Sequence, residues 1–388
     1  MLYRRFGKTN LNMPVFSAGF MRAKHSWSDL PLAAVPADNQ SKLEEVIRRA
    51  LALGINHFET ARAYGTSERQ LGLALRDIPR ADYLLQTKVQ PTPDPQVFTA
   101  DCRDSLARLG VDRVDLLAIH GINDHRSFWH ACRPGGCLAA ARRLQAEGRV
   151  GHVGFSGHGD TDIILEAVRH QQDGGFDYMN IHWYYIFQQH RQAIREAHER
   201  DMGIFVISPT DKGGRLQAPP PLLQRLCAPL APLQFNDLFC LTRPGITTLS
   251  IGAATPADFD AHLAALAHLG DRDLLAAVDR RLGQAMETAT GNARPDALWE
   301  KLPPWDATPG YFNLRMITWL GNLDRGWHLR EYARDRYAML GRELPWVPGR
   351  DGADIDRFDL ARGFRSSDLD MGAVLDLVRA THRRLAST

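Results

Sequence analysis

From Val15 to about Leu266, short runs rich in β-branched and aliphatic residues alternate with longer stretches whose apolar positions recur at helical spacing, and glycines and prolines mark the joints. In one unit Ser41 followed by Glu44 reads as a capping box, Leu43, Val46, Ile47 and Ala50 form one helical stripe, and Gly54 stops the helix before a strand at Ile55 to Phe58. The rhythm then repeats. Ser67 with Gln70 opens a helix through Leu75, Tyr83 to Thr87 reads as a strand, Asp94-Pro95 caps a helix that ends at Gly110, and Val114 to Ile119 suits a strand buried on both faces. Further strands are predicted at Val150 to Phe155, Tyr178 to His182, Gly203 to Ile207 and Thr247 to Ile251, with helices at Leu138 to Glu147, Thr161 to His170 and Gln189 to Arg200. With Val15 to Ala18 as the first, this makes eight strands separated by helices. Glu59, Lys88 and His120 lie 29 and 32 residues apart (88 − 59, 120 − 88), about one βα unit each. No G-x-G-x-x-G turn follows the first strand, so the pattern favours a closed (β/α)₈ TIM barrel over an open doubly wound sheet. Chemistry in such a barrel sits at the carboxyl ends of the strands.

The later part of the chain reads differently. A Pro-rich knot (Leu302 to Trp305) precedes helical stripes at Met316, Leu320, Leu323 and Trp327, at Leu329, Ala333, Tyr337 and Leu340, and at Val374, Leu377, Val378, Thr381 and Leu385. Between the last two, Pro345 to Asp359 reads as irregular. The expected organisation is a barrel at 1–268 and a helical carboxy-terminal extension packed on it at 269–388.

Composition removes several function classes. The 388 residues are 44% hydrophobic and 24% charged, which excludes a disordered or collagen-like chain. With 47 Lys+Arg against 45 Asp+Glu, no concentrated basic field draws the chain to nucleic acid or to an anionic membrane surface. No run reaches the roughly 18 apolar residues of a membrane span, and the turn-like Gly7 to Asn10 replaces a secretory segment, so a cytoplasmic location is expected. Five cysteines, an odd number, then point to reduced thiols.

At the predicted strand ends stand Glu59-Thr60-Ala61-Arg62-Ala63-Tyr64-Gly65, then Lys88, then His120. A phenol, an ammonium, a carboxylate and an imidazole converging at a barrel mouth make a proton-donating site. Lys88 is expected to favour the phenolate of Tyr64 and lower its pKa from about 10. Glu59 would hold Lys88, and His120 would polarise a carbonyl oxygen as a hydride reaches its carbon.

Several stretches carry a family resemblance: Tyr3 to Thr9, Gly54 to Ala61, Tyr64-Gly65-Thr66-Ser67-Glu68, Lys88, Asp115 to His120, and Gly148 to Ser156. Over roughly residues 1 to 266 the chain resembles the aldo-keto reductase superfamily, whose tetrad is Asp, Tyr, Lys and His. The resemblance implies Tyr64 as proton donor, Lys88 as its activator, His120 as the substrate-orienting imidazole, and Glu59 where the family usually has Asp. It also implies NADPH, with NADH as the other possibility, and a small-molecule carbonyl substrate. Ser156 and Asn180 would hold the carboxamide; Ser208, Lys212 and Gly213 the pyrophosphate; and Gly252 would lie beside the adenosine. The family's Ser-Asn pair reads Ser156-Gly157 here, its Gln reads Asn180, its stacking Tyr reads Ile207, and Gly252 to Thr255 carries no basic residue. The Ser156-Gly157-His158-Gly159 stretch and the carboxy-terminal length are similar to relatives bearing a ferredoxin-like domain. No cysteine follows Cys240, however, so the tail reads as a metal-free helical cap.

Other readings stay beside this one. Gly157, Asn180, Ile207 and the long tail also suit a nucleotide-binding regulatory or partner-binding barrel with little turnover. His125, His158, His182 and His190 raise metal binding, but no H-x-H on the first strand accompanies them and no metal is expected. Trp129, Trp183, Tyr184 and Tyr185 read equally as substrate-pocket wall or as packing.

Overall fold

A computed structural model describes residues 1–342, 344, 347–360 and 369–386; Pro345 and Trp346 of the irregular stretch lie outside them. The chain divides into two compact units. The first comprises Met1–Trp183, His190–Thr210 and Asp237–Leu269, the second Tyr184–Gln189, Asp211–Asn236 and Gly270–Thr388.

In the first unit eight parallel strands close a barrel: β1 (Phe16–Gly19), β2 (His57–Glu59), β3 (Leu84–Val89), β4 (Val114–His120), β5 (Val150–Gly157), β6 (Tyr178–Ile181), β7 (Gly203–Val206) and β8 (Ile246–Ile251). Each pairs with the next, and β8 closes on β1 with Ser250 opposite Ser17. This is the (β/α)₈ barrel that the alternation predicts. β1, β2, β6, β7 and β8 are buried at every residue, which explains why they read as apolar runs rather than as alternating strands.

Boundaries moved where tertiary hydrogen bonds decided them. β2 starts at His57 rather than Ile55, because Gly54 takes φ +78° and the Ile55 N–H still closes the helix by donating to Ala50 O at 2.8 Å. Ser41 does not cap a helix. It lies inside α1 (Ala37–Ala52), which starts after Pro36 and carries Asp38 in its first turn. Helices α2 (Ser67–Leu75) and α3 (Pro95–Leu109) follow the sequence signals, the latter capped by Asp94, whose carboxylate accepts from Gln96 N–H. A further helix, α4 (His125–Cys132), follows β4, opened by a capping box between Asp124 and Ser127.

An amino-terminal hairpin, Tyr3–Arg5 against Asn12–Pro14, supplies Phe6 and Met13 to a cluster with Leu116, Ala118, Tyr178 and Phe205. Phe6 lies 5.5 Å from the Tyr178 ring, and a Cβ on Gly203 would stand 2.6 Å from the Phe6 ring, so the plug fits only against a glycine. Buried polar side chains on β1, β2 and β8 contact one another: Ser17 Oγ lies 2.8 Å from Thr248 Oγ1 and 2.7 Å from His57 Nδ1.

Burial, with Lys88 nearby, pushes the His57 pKa from 6.5 down to about 3, so the folded chain holds this ring neutral. The unfolded chain binds one more proton between those values, so folding stability rises with pH across that window and is lost as pH falls from 6.5 toward 3. His57→Gln is expected to flatten that part of the stability-against-pH curve, measured by urea denaturation at stepped pH. An unchanged slope removes His57 as its source.

The second unit is helical, built on Arg272–Thr290, Leu314–Trp327, Arg330–Tyr337 and Met371–Leu385. The first of these carries no sequence prediction above. Trp327 Nε1 donates to Leu282 O at 3.0 Å, and buried Asp324 accepts from Arg330 at 3.0 Å and Arg384 at 2.6 Å, tying three helices. All five cysteines are free and buried. Among the described residues no helix is long and apolar enough to cross a membrane.

Candidate active site

The turn after β2 sets the phenol. Tyr64 N–H donates to Ala61 O at 2.9 Å, and the Tyr64 carbonyl accepts from Ser67 N–H at 3.0 Å, so the residue is held between a strand end and the first turn of α2. Gly65 follows at φ +54°, and any Cβ there would run into the Ser26 carbonyl. The loop after β1 is drawn against this turn by His25 N–H donating to Gln70 Oε1 at 2.8 Å and by Thr66 N–H donating to Ser26 O at 3.1 Å.

Beneath the turn lies a buried ion pair. Lys88, 1% exposed, donates to Glu59, 5% exposed, and to the Thr60 carbonyl at 2.9 Å. The other Glu59 oxygen accepts from Ser250 Oγ on β8 at 2.8 Å. A Cβ on Gly19 would stand 2.5 Å from Ser250 Oγ and 2.7 Å from Glu59 Oε1. The missing side chain at Gly19 therefore makes room for the extra methylene of glutamate. Neither Gly19 nor Ser250 stands out in the sequence, because their role depends on strands that meet only on closure. Burial alone would lower the Lys88 pKa, but Glu59 and Tyr64 outweigh it and the net direction is up, so the ammonium is kept.

Lys88 Nζ sits 4.9 Å from the centroid of the Tyr64 ring, close enough for its charge to act on the phenol. His120 presents its ring to Tyr64 edge-on, with centroids 5.8 Å apart and an interplanar angle of 87°. The expectation that Tyr64 falls below the ordinary tyrosine pKa is corrected here. Burial raises it, the positive charge of Lys88 lowers it, Glu59 raises it again, and the net direction is up. The hydroxyl therefore keeps its proton at neutral pH.

Three strand-end positions continue the site laterally: His120 on β4 is paired with Ser156 on β5, which is paired with Asn180 on β6. Ser156 Oγ accepts from Gly121 N–H at 3.0 Å, which leaves its own proton available. Asn180 is fully buried, and both polar atoms of its carboxamide are without a partner in the structure. Two residues beyond each lie His158 and His182, hydrogen-bonded to each other; among the described residues no three potential ligands gather for a metal. Ser208 follows β7 at φ +52°. Gly252 follows β8, where its carbonyl accepts from Arg22 Nη1 at 2.8 Å, and Asp258 Oδ2 accepts from Ala254 N–H at 2.7 Å. Arg22, from the loop after β1, is a cation that a reading of the Gly252 to Thr255 loop alone misses. Lys212 and Gly213 belong to the second unit. Trp183 is core, stacked on Phe239 at 5.6 Å, and Tyr184 is buried as well. Trp129 is exposed instead, and so is Trp27, which meets Tyr64 edge-on at 6.4 Å with Lys24 Nζ 3.4 Å from its ring centroid.

Several known proteins are similar to this chain over part of its length. An L-galactose dehydrogenase from Arabidopsis thaliana is 33% identical over 171 residues, 42% of this chain and 52% of that one. An aldo-keto reductase from Mycobacterium ulcerans is 42% identical over 87 residues, 21% of this chain and 30% of that one. The chain thus spans about half the length of the first relative and less of the second. The holo form of the aldo-keto reductase AKR11C1 from Bacillus halodurans shares the fold, with a TM-score of 0.59 and 20% identity over 72% of this chain and 96% of that one. Residues 19–219 match the aldo/keto reductase family, a stretch that takes in β2 to β7 and every side chain of the Tyr64, Lys88, Glu59 and His120 cluster, and on that match the chain belongs to the aldo/keto reductase family.

Proposed function

We propose that the chain is an NAD(P)H-dependent oxidoreductase that reduces an aldehyde or ketone to an alcohol, with Tyr64 as proton donor. The observation that carries this reading is the chain Glu59, Lys88, Tyr64, in which a buried ion pair ends on a phenol at the carboxyl end of the barrel. A bound nicotinamide supplies the hydride. The residues present suit it: Asn180 holds a donor and an acceptor out of water with no partner among the described residues, and a carboxamide offers the complement of both. Ser156 has a proton left to donate beside it. Ser208 and Gly252, on the loops after β7 and β8, take the rest of the cofactor, NADPH by family habit with NADH as the other candidate.

Tyr64 gives its proton to the carbonyl oxygen as negative charge builds there, and Lys88 offsets the charge left on the phenolate. Glu59 keeps Lys88 aimed at the phenol rather than at solvent. His120, whose ring stands edge-on to the phenol, is the second donor to the oxygen. In the reverse direction the phenolate accepts the alcohol proton.

Titration of the purified protein with NADPH and with NADH, followed by nicotinamide fluorescence and then by oxidation over a panel of small aldehydes and ketones, tests this. Saturable binding with steady turnover is expected. Binding without oxidation of any panel member would assign the barrel to nucleotide sensing or partner binding instead, and failure to bind either dinucleotide would end the reading.

A further inference from the structure

Three further side chains of the first unit, Asp237, His262 and Thr210, form a relay. Asp237 stands on the helix Pro232–Leu241, His262 on the helix Asp258–Ala265, and Thr210 on the short helix Pro209–Lys212 that follows β7. Asp237 Oδ2 lies 2.5 Å from His262 Nδ1, and His262 Nε2 lies 3.3 Å from Thr210 Oγ1. The Phe16 ring of β1 meets the imidazole edge-on with centroids 5.7 Å apart, which limits its rotation.

A carboxylate only accepts, so the Asp237 contact places the imidazole proton on Nδ1 and leaves Nε2 as an acceptor, to which the Thr210 hydroxyl donates. Asp237 and His262 are 1% and 2% exposed, whereas Thr210 is only partly buried. The carboxylate and the base are thus dry, while the residue they act on meets solvent. Asp237 Oδ1 has no hydrogen-bond partner among the described residues, so the chain keeps a desolvated charge that an apolar contact between the same helices would avoid. Such a charge stabilises the imidazolium that forms when Nε2 takes a proton. Asp237 and His262 both lie beyond residues 19–219, the stretch that matches the family.

We propose that Thr210 is a nucleophile toward activated acyl esters, with His262 as its general base and Asp237 orienting that base. Thr210 Oγ1 forms a bond to the acyl carbon as its proton passes to His262 Nε2; the bond to the leaving oxygen then breaks, and that oxygen departs with the proton. Water attacks the resulting acyl-threonine, His262 takes a proton from the water and returns it to Thr210 Oγ1, and the carboxylic acid is released. No hydride and no dinucleotide enter these steps, so the activity is independent of the carbonyl reduction proposed above.

The full-length protein is mixed with excess p-nitrophenyl acetate, and release of p-nitrophenolate is followed for wild type, Thr210→Val, Thr210→Ser and Asp237→Asn, with thermal unfolding as the check on folding. Surface amines acylate once and stop, so sustained release identifies turnover. Wild type is expected to turn over and Thr210→Ser to keep most of the rate. Thr210→Val, which removes the hydroxyl and keeps its shape, and Asp237→Asn, which loses the charge behind the imidazole, should each lose about 10²-fold or more. No sustained release by wild type overturns the proposal, and so does the wild-type rate in a folded Thr210→Val or a folded Asp237→Asn. If neither variant folds, wild type is treated with a fluorophosphonate, in which Thr210 Oγ1 displaces fluoride to form a stable bond to phosphorus, and its digest is mapped by mass spectrometry. Phosphonylated Thr210 supports the site; an adduct elsewhere, or none, refutes it.

Discussion

Tyr64→Phe is expected to lower kcat for carbonyl reduction by about 10²–10⁴-fold while the dissociation constant for the cofactor stays within about twofold. The substitution removes one oxygen and leaves the ring, so the edge contacts with His120 and Trp27 persist and the turn before α2 is undisturbed. What is lost is the group whose proton moves only as the carbonyl oxygen gains charge. Because burial outweighs Lys88 and the Tyr64 pKa lies above its ordinary value, the hydroxyl is already protonated at neutral pH. Reduction by wild type should therefore show no loss assignable to Tyr64 between pH 6 and 9. Steady-state rates with one aldehyde, together with fluorescence titration of the cofactor, separate the two effects. A Phe variant that keeps its turnover would take Tyr64 out of the mechanism.

Lys88→Met should damage both rate and stability, and the two losses should come apart when Glu59 is changed as well. In the single variant Glu59 stays buried with Ser250 as its remaining side-chain partner, an uncompensated carboxylate that costs on the order of 3–5 kcal/mol. Adding Glu59→Gln removes that charge, and most of the stability should return. Turnover should not, since no ammonium is left to offset the phenolate. Urea denaturation and kcat measured on the single and double variants form a cycle. If the double variant is no more stable than Lys88→Met, the buried pair is not what the single substitution breaks. If it recovers turnover, Lys88 has no electrostatic role.

Much of this site is legible along the chain because a parallel barrel repeats at a length the sequence displays. Glu59, Lys88 and His120 each sit at the end of an apolar run, about one βα unit apart, so the fold alone brings them to one rim. Other partners carry no such signal. Ser250 reaches Glu59 only because β8 closes on β1, across 191 positions of sequence, and Gly19 matters only because a glutamate needs the space its side chain leaves. Arg22 meets the loop after β8 by the same closure. Trp183, read as either pocket or packing, is packing, since Phe239 stacks on it from a helix that the periodicity does not reveal.

The alternation of strands and helices, the family resemblance and the residue types at the strand ends are all legible along the chain. Those follow from local periodicity and from turn chemistry, which act over a few residues. Tertiary structure alone decided the charge state of the site. How far burial raises the Tyr64 pKa against the pull of Lys88, and how a glutamate is accommodated beneath it, depend on water excluded and space left by residues far away in the chain.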